Sequence, residues 1–246
     1  MLIDNGGLVK SIRFRNHQYI GDPINAVKIF NEKEVDEIAI LDISASREKR
    51  SPDIEQVKKI AGEAFMPLAW GGGINSLRQV QELVEAGVEK LIMNHSAIYN
   101  PAFISEAAKW TGSQSIVVSI DVKKNIWGKY RVYTANGAGK TSLDPAEFAQ
   151  QMESAGAGEI LLQDIDRDGC FSGYNLELIQ LVSSKVSIPV IAASGAGSIA
   201  DFSLAVNSGA SAVAAGSLFV LQRPHRAVLI SYPTQQELLN SFFSKV

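Results

Sequence analysis

Short apolar, β-branched runs alternate along this chain with stretches whose apolar residues recur at the helical period. That rhythm predicts parallel strands joined by crossover helices. Strands are predicted over Glu37–Asp42, Pro67–Trp70, Lys90–Met93, Ser115–Asp121, Glu159–Leu162, Pro189–Ala192 and Ala212–Ala215. Helices are predicted over Pro23–Glu34, Pro52–Glu63, Ser76–Ala86, Pro101–Trp110, Pro145–Ala155, Leu176–Lys185 and Ile199–Ser208. Several helices open on proline, whose missing N–H costs nothing in the first turn. Gly87, Gly156 and Gly209 fall just past helix ends, where a left-handed cap favours glycine. These make seven strand-helix units, and an eighth strand is expected at the start of the chain.

The sequence also matches itself at a constant offset of 122 residues, the separation of Glu37 from Glu159. In one stretch Ile38/Ile160, Asp42/Asp164 and Ile43/Ile165 pair, and in the next Pro67/Pro189, Gly73/Gly195, Ser76/Ser198, Val84/Val206 and Gly87/Gly209, all without gaps. Four strand-helix units occurring twice make eight, which closes a (β/α)8 barrel with an internal twofold. An open doubly wound sheet has no reason for such a repeat. The expectation is an α/β protein forming one barrel domain over residues 1–246, a length that such a barrel absorbs whole.

Composition narrows the chemistry. Hydrophobic residues make up 46% and charged residues 20%, so a sizeable core is expected. With 23 Lys+Arg against 26 Asp+Glu the formal charge is −3, which gives no global pull toward nucleic acid or an anionic membrane. Phosphate recognition must therefore be local. Cys170 is the single cysteine and no Cys/His cluster has metal spacing, so no disulfide, metal or cofactor is expected. No apolar run reaches a membrane span and the polar start is unlike a signal peptide, which together point to the cytoplasm.

Active sites of such barrels lie at the C-terminal ends of the strands. Trp70-Gly71-Gly72-Gly73 and its mate Ala193-Ser194-Gly195-Ala196-Gly197-Ser198 both follow a strand and open a helix, where free N–H groups suit a phosphate. Gly216-Ser217 adds N–H groups and a hydroxyl, and its mate Asn94-His95 brings polar side chains to the mouth. Cradles on both sides of a twofold fit a ligand with a phosphate at each end; alternatively the glycines serve only tight turns. Between them Asp121 ends an apolar strand, the place for an acid or base, with Asp168 and Asp42 at equivalent rim positions. His95 is the rim histidine, either a ligand contact or loop filling. His17 and His225 lie in polar stretches and are expected in solvent, and Cys170 has no partner that would make it a nucleophile. At the opposite end Glu37, Glu159 and Lys90 precede apolar strand residues and must pair, which by itself reads as an ion cluster closing the floor.

Gly21-Asp22-Pro23, Leu41-Asp42-Ile43-Ser44-Ala45-Ser46, Gly71-Gly72-Gly73-Ile74, Ile120-Asp121, Gly156-Ala157-Gly158-Glu159-Ile160-Leu161-Leu162, Asp166-Arg167-Asp168-Gly169 and Ser172-Gly173-Tyr174 together resemble HisF, the cyclase subunit of imidazole glycerol phosphate synthase. The resemblance covers nearly the whole chain. It implies a twofold barrel that takes ammonia from a HisH-type glutaminase docked at its floor, the N-terminal face, and uses it on a bisphosphorylated substrate at its top. On that likeness Asp121 is a catalytic acid/base, Gly73 and Asn94 hold one phosphate, Gly169, Gly195 and Ser217 hold the other, and Glu37, Lys90 and Glu159 form an ammonia gate.

The departures are as informative. Anchoring on Val9-Lys10 puts Leu2 where the family carries its second catalytic Asp, and most of the first strand is expected to be missing, by truncation or a late start. Asp4 could substitute only with a two-residue slip. His95 stands where the family has Thr, Gln163-Asp164 where it has Thr-Ser, and Ala193-Ser194 where it has Ser-Gly. Gly216-Ser217-Leu218-Phe219 followed by 224–233, from Pro224-His225-Arg226 to Tyr232-Pro233, looks like a subgroup of HisF paralogues associated with amidation of surface-polysaccharide sugars. The competing readings are the histidine-pathway cyclase, a non-catalytic ammonia channel, and a sugar-phosphate isomerase of the same barrel type.

Overall fold

A computed structural model describes residues 1–245. In chain order the elements are β1 (Leu2–Asp4), β2 (Gly7–Ile12), β3 (Arg15–Gly21), α1 (Pro23–Glu32), β4 (Ile38–Asp42), α2 (Ile54–Ala61), β5 (Leu68–Gly71), α3 (Leu77–Glu85), β6 (Lys90–Met93), α4 (His95–Tyr99), α5 (Pro101–Thr111) and β7 (Ile116–Lys124). There follow β8 (Tyr130–Thr134), β9 (Gly139–Lys140), α6 (Pro145–Ser154), β10 (Glu159–Asp164), α7 (Leu176–Ser183), β11 (Val190–Ala193), α8 (Ala200–Asn207), β12 (Ala212–Val213), α9 (Ser217–Val220), β13 (Leu221–Gln222), β14 (Ala227–Val228) and α10 (Gln235–Ser241).

Eight strands, β1, β4, β5, β6, β7, β10, β11 and β12, run parallel in one curled sheet in sequence order, the (β/α)8 architecture. The expected eighth strand is β1. It is short, three residues, and registers Leu2 on Leu41 and Ile3 on Asp42. Among the described residues no ladder joins β12 to β1; β1 pairs instead with the antiparallel hairpin β2–β3. This hairpin, the β8–β9 extension of β7, the short helices α4 and α9, and everything after Val220 were not predicted from the sequence. They are short or irregular, with too few residues to show a period.

The twofold extends to whole elements. Shifted by 122 residues, α1 falls on α6, α2 on α7, and β5 on β11 with the same ends. The caps repeat as well: Asp22 and Asp144 cap α1 and α6, and Asp53 and Asn175 cap α2 and α7, each accepting from a backbone N–H of the first turn. Gln79 Oε1 accepts from Asn75 N and Ser76 N, and its mate Asp201 accepts through Oδ2 from Gly197 N and Ser198 N. Gly87, Gly156 and Gly209 hold φ of 99°, 103° and 104°, the left-handed region expected for them.

Two apolar layers result. The larger lies between sheet and helices and includes Trp70, Phe148, Ile40 and Leu91. The smaller fills the lumen with Ala69, Ile92, Val117 and Leu161, flanked by Ala39, Leu41, Ile191 and Ala193. Among the described residues no helix is long and apolar enough to cross a membrane.

Candidate functional site

The cleft at the C-terminal rim is lined by Leu2, Asp42, Gly73, Asn94, His95, Asp121, Gln163 and Asp168, among others, so the barrel brings together most of the expected rim residues. Asp121 does not end its strand as expected: β7 runs on to Lys124 because its last residues pair with β8, and within it Asp121 is 6% exposed. Its Oδ1 accepts from Ser119 Oγ at 2.9 Å and Gln163 Nε2 at 3.0 Å, while Oδ2 has no donor among the described residues. Burial pushes the carboxyl up to about 6, against the two hydrogen bonds and with a small addition from Asp168. A carboxyl with one oxygen pinned, the other open to the cleft, and a pKa near neutrality can take and return a proton.

Asp168 lines the same cleft and accepts from Ser11 Oγ at 2.6 Å. Asp42 does not fit the acid/base expectation. Its Oδ1 accepts from Ser44 N, Ser44 Oγ and Ala45 N, and its Oδ2 faces Arg50 at 3.4 Å. Both oxygens therefore tie down the loop after β4. His95 Nδ1 lies 3.1 Å from Thr134 Oγ1, and its ring packs on Tyr99.

The two candidate phosphate cradles are unequal. On one side Gly73 N donates to Ser46 Oγ at 3.3 Å, and Asn94 Nδ2 is held by the carbonyls of Ser119 and Tyr133. The Asn94 side chain thus ties β6 to β7 and β8, and what it can offer a ligand is its backbone. On the other side the N–H groups of Gly169 and Gly195 donate to nothing among the described residues. Gly195 holds φ 106°, and a Cβ there would stand 2.3 Å from Gly173 O, so only glycine fits this turn.

The second cradle holds a residue that the sequence reading used only as an anchor. Lys10 of β2 is 6% exposed, and its Nζ lies so near Gly216 that a Cβ there would meet it at 2.3 Å. Burial lowers its pKa, partly countered by Asp168. No hydrogen bond from its Nζ is present among the described residues, so a buried ammonium stands beside Gly216 with its N–H donors unused. The missed signal was the lysine inside an otherwise apolar strand, Leu8-Val9-Lys10.

At the floor Lys90 Nζ lies 2.9 Å from Glu37 Oε2 and from Glu159 Oε1, as the sequence required. Burial opposes its charge, but the bonds to Glu159 and then Glu37 more than offset this, and the ammonium stays above its ordinary pKa.

Leu2 lines the cleft and Asp4 does not; Asp4 instead meets Asn5 and His17 beside the hairpin, which removes the slipped alignment. His17 is correspondingly not in solvent, with its side chain 21% exposed. Asp166 faces Lys123 at 3.6 Å, and Cys170 Sγ lies near the carbonyls of Asp166 and Asp168.

The family model described as histidine biosynthesis protein matches residues 1–223. A protein of Leptospira interrogans, provisionally named imidazole glycerol phosphate synthase subunit HisF, is 48% identical over 96% of this chain and 94% of its own. A provisionally named subunit hisF2 of Pseudomonas aeruginosa is 48% identical over 97% and 95%. The imidazole glycerol phosphate synthase subunit HisF of Alkaliphilus metalliredigens is 42% identical over 88% and 86%. On this likeness, and on a barrel whose twofold organises the same motifs, the chain belongs to the histidine biosynthesis protein family, among its HisF proteins.

Proposed function

We propose that this chain is the synthase subunit of a glutamine amidotransferase complex, receiving ammonia from a HisH-type glutaminase docked at the Glu37–Lys90–Glu159 floor. Ammonia released there would enter a lumen packed with apolar side chains, Ala39, Ala69, Ile92, Val117, Leu161 and Ala193 among them, an environment that favours neutral NH3 over ammonium. Lys90, held between two carboxylates, is the group that must move to admit it. At the rim Asp121 Oδ2 exchanges the proton of the incoming nitrogen with a phosphorylated substrate. Gly73 and the backbone of Asn94 hold one end of that substrate, and Gly169, Gly195, Ser217 and Lys10 the other.

The substrate class differs from that of the histidine-pathway cyclase, and one observation carries this: Leu2 occupies the twofold-equivalent of Asp121, where a second carboxylate would complete an acid/base pair. We infer a paralogue whose ammonia serves amidation of a surface-polysaccharide sugar, acting in the cytoplasm. The cyclase reading has its own support in the buried, near-neutral Asp121. Turnover of the bisphosphorylated histidine-pathway intermediate with ammonium salt separates the two. An ordinary cyclase rate overturns the paralogue reading. Binding without turnover supports it, and an Asp121→Asn variant should then bind phosphate ligand within about tenfold of the parent while losing all ammonia-dependent chemistry.

A further inference from the structure

Beside the second cradle, the segment after β12 folds back over the rim. Helix α9 starts at Ser217, and β13 and β14 follow as an antiparallel hairpin registering Leu221 on Val228 and Gln222 on Ala227. The hairpin is fixed from behind, since Leu221 is buried, Leu229 N donates to Val220 O at 2.9 Å, and Ser231 N to Phe219 O at 2.8 Å. Its tip, Arg223-Pro224-His225-Arg226, carries two arginines that reach the two loops of that cradle. Arg223 Nη2 donates to Gly197 O at 2.8 Å and Arg226 Nη1 to Gly169 O at 2.9 Å. Both guanidiniums are also seated against the Phe171 ring, 5.2 and 5.4 Å from its centroid. Phe171, Arg223, Pro224 and Arg226 line a shallow cavity.

Each guanidinium uses one N–H on a carbonyl and is oriented by the ring, so its remaining donors are already ordered. Among the described residues neither has a carboxylate within 4.0 Å. Two oriented, unneutralised guanidiniums in a chain of net charge −3 form a ready anion site, and arginine forks match phosphoryl oxygens bidentately. Because Arg226 and Arg223 are hooked to the very loops that present Gly169 and Gly195, an anion they take would border that cradle.

We propose that Arg223 and Arg226 bind a second phosphoryl group adjacent to the one held by Gly169, Gly195, Ser217 and Lys10, so that this end of the ligand is a diphosphate. This rests on the second cradle's being a phosphate site. The test is calorimetric titration of the full chain with inorganic phosphate and with pyrophosphate. The parent should bind pyrophosphate at least about tenfold more tightly than phosphate, since the oriented guanidiniums add charge-assisted hydrogen bonds that phosphate alone does not make. In the double variant Arg223→Gln, Arg226→Gln that advantage should vanish, with phosphate affinity within about twofold of the parent. Glutamine retains a donor for the two carbonyls, and an unchanged melting temperature shows that the hairpin still folds. A parent that binds both probes equally, or a double variant that keeps the pyrophosphate advantage, overturns the proposal. Lys10→Met addresses the cradle separately: unchanged phosphate affinity there removes the cradle reading, whereas the difference between the probes in the arginine variant judges the diphosphate.

Discussion

Leu2 and Asp121 stand at twofold-equivalent positions on opposite sides of the rim cleft. Leu2 registers on Leu41 and Asp121 on Gln163, and Leu41 and Gln163 are themselves 122 residues apart. The cleft therefore has one polar half, in which Gln163 and Ser119 hold the carboxylate, and one apolar half, in which leucine faces leucine. If the missing carboxylate explains an altered reaction, the parent should turn over the cyclase intermediate at least about a hundredfold more slowly than a two-carboxylate enzyme, the usual size of an acid/base contribution. Leu2→Asp should recover part of the rate in the same steady-state assay. The parent's pH profile should show one inflection, and the variant's a bell.

The Gln163 bond to Asp121 Oδ1 favours the ionised form. Removing it in Gln163→Leu should therefore raise the inflection of Asp121 above about 6, by on the order of one unit for a hydrogen bond to a charged group. Carboxyl titration followed by NMR in the parent and the variant reads this directly. A downward shift would mean that the bond does not act on the ionised form.

The raised pKa of Asp121 also has a stability consequence. The folded chain holds this proton more tightly than the unfolded one, so the favourable contribution is complete below about pH 4 and is lost as pH rises through about 6. Asp121→Asn, which keeps the shape without the charge, should be more stable than the parent at pH 7–8 by up to about 3 kcal/mol, with the gap closing toward pH 4. Denaturant melts at pH 4, 6 and 8 test the slope.

At the floor, Lys90→Ala leaves Glu37 and Glu159 facing without their cation. With the glutaminase bound, the ratio of glutamine hydrolysed to nitrogen incorporated should rise well above one, while the melting temperature changes little because the cluster is partly in water. Equal coupling in variant and parent would leave the cluster a structural closure.

Ser194 holds φ 72°, and its buried Oγ has no hydrogen-bond partner among the described residues. Both features disfavour serine, so Ser194→Gly should raise stability by about 1 kcal/mol, read as a higher denaturation midpoint with unchanged slope.

The barrel, its twofold and the floor cluster are legible in the amino-acid order, because each depends on local periodicity and on residues at a fixed spacing. Apolar alternation sets which strand face is buried, and an offset of 122 residues carries the caps Asp22 and Asp144, or the turn acceptors Gln79 and Asp201, into the same tasks. Position just after a strand placed Asp121, Asp168 and His95 at one rim, and the family resemblance added Leu2 to it.

Which of those rim groups remain open to a ligand depends instead on contacts between residues far apart in the chain. Asp42 and Asp121 look alike in sequence, each an acid at a strand end. Arg50 and the Ser44 hydroxyl turn to the first, while the second keeps a free oxygen. Asn94 is drawn away by carbonyls of β7 and β8, and Lys10 arrives at Gly216 from the far end of the chain. Hydrogen bonds and charge pairs are satisfied across such distances by whichever donor the fold brings nearest, and no local pattern encodes that choice.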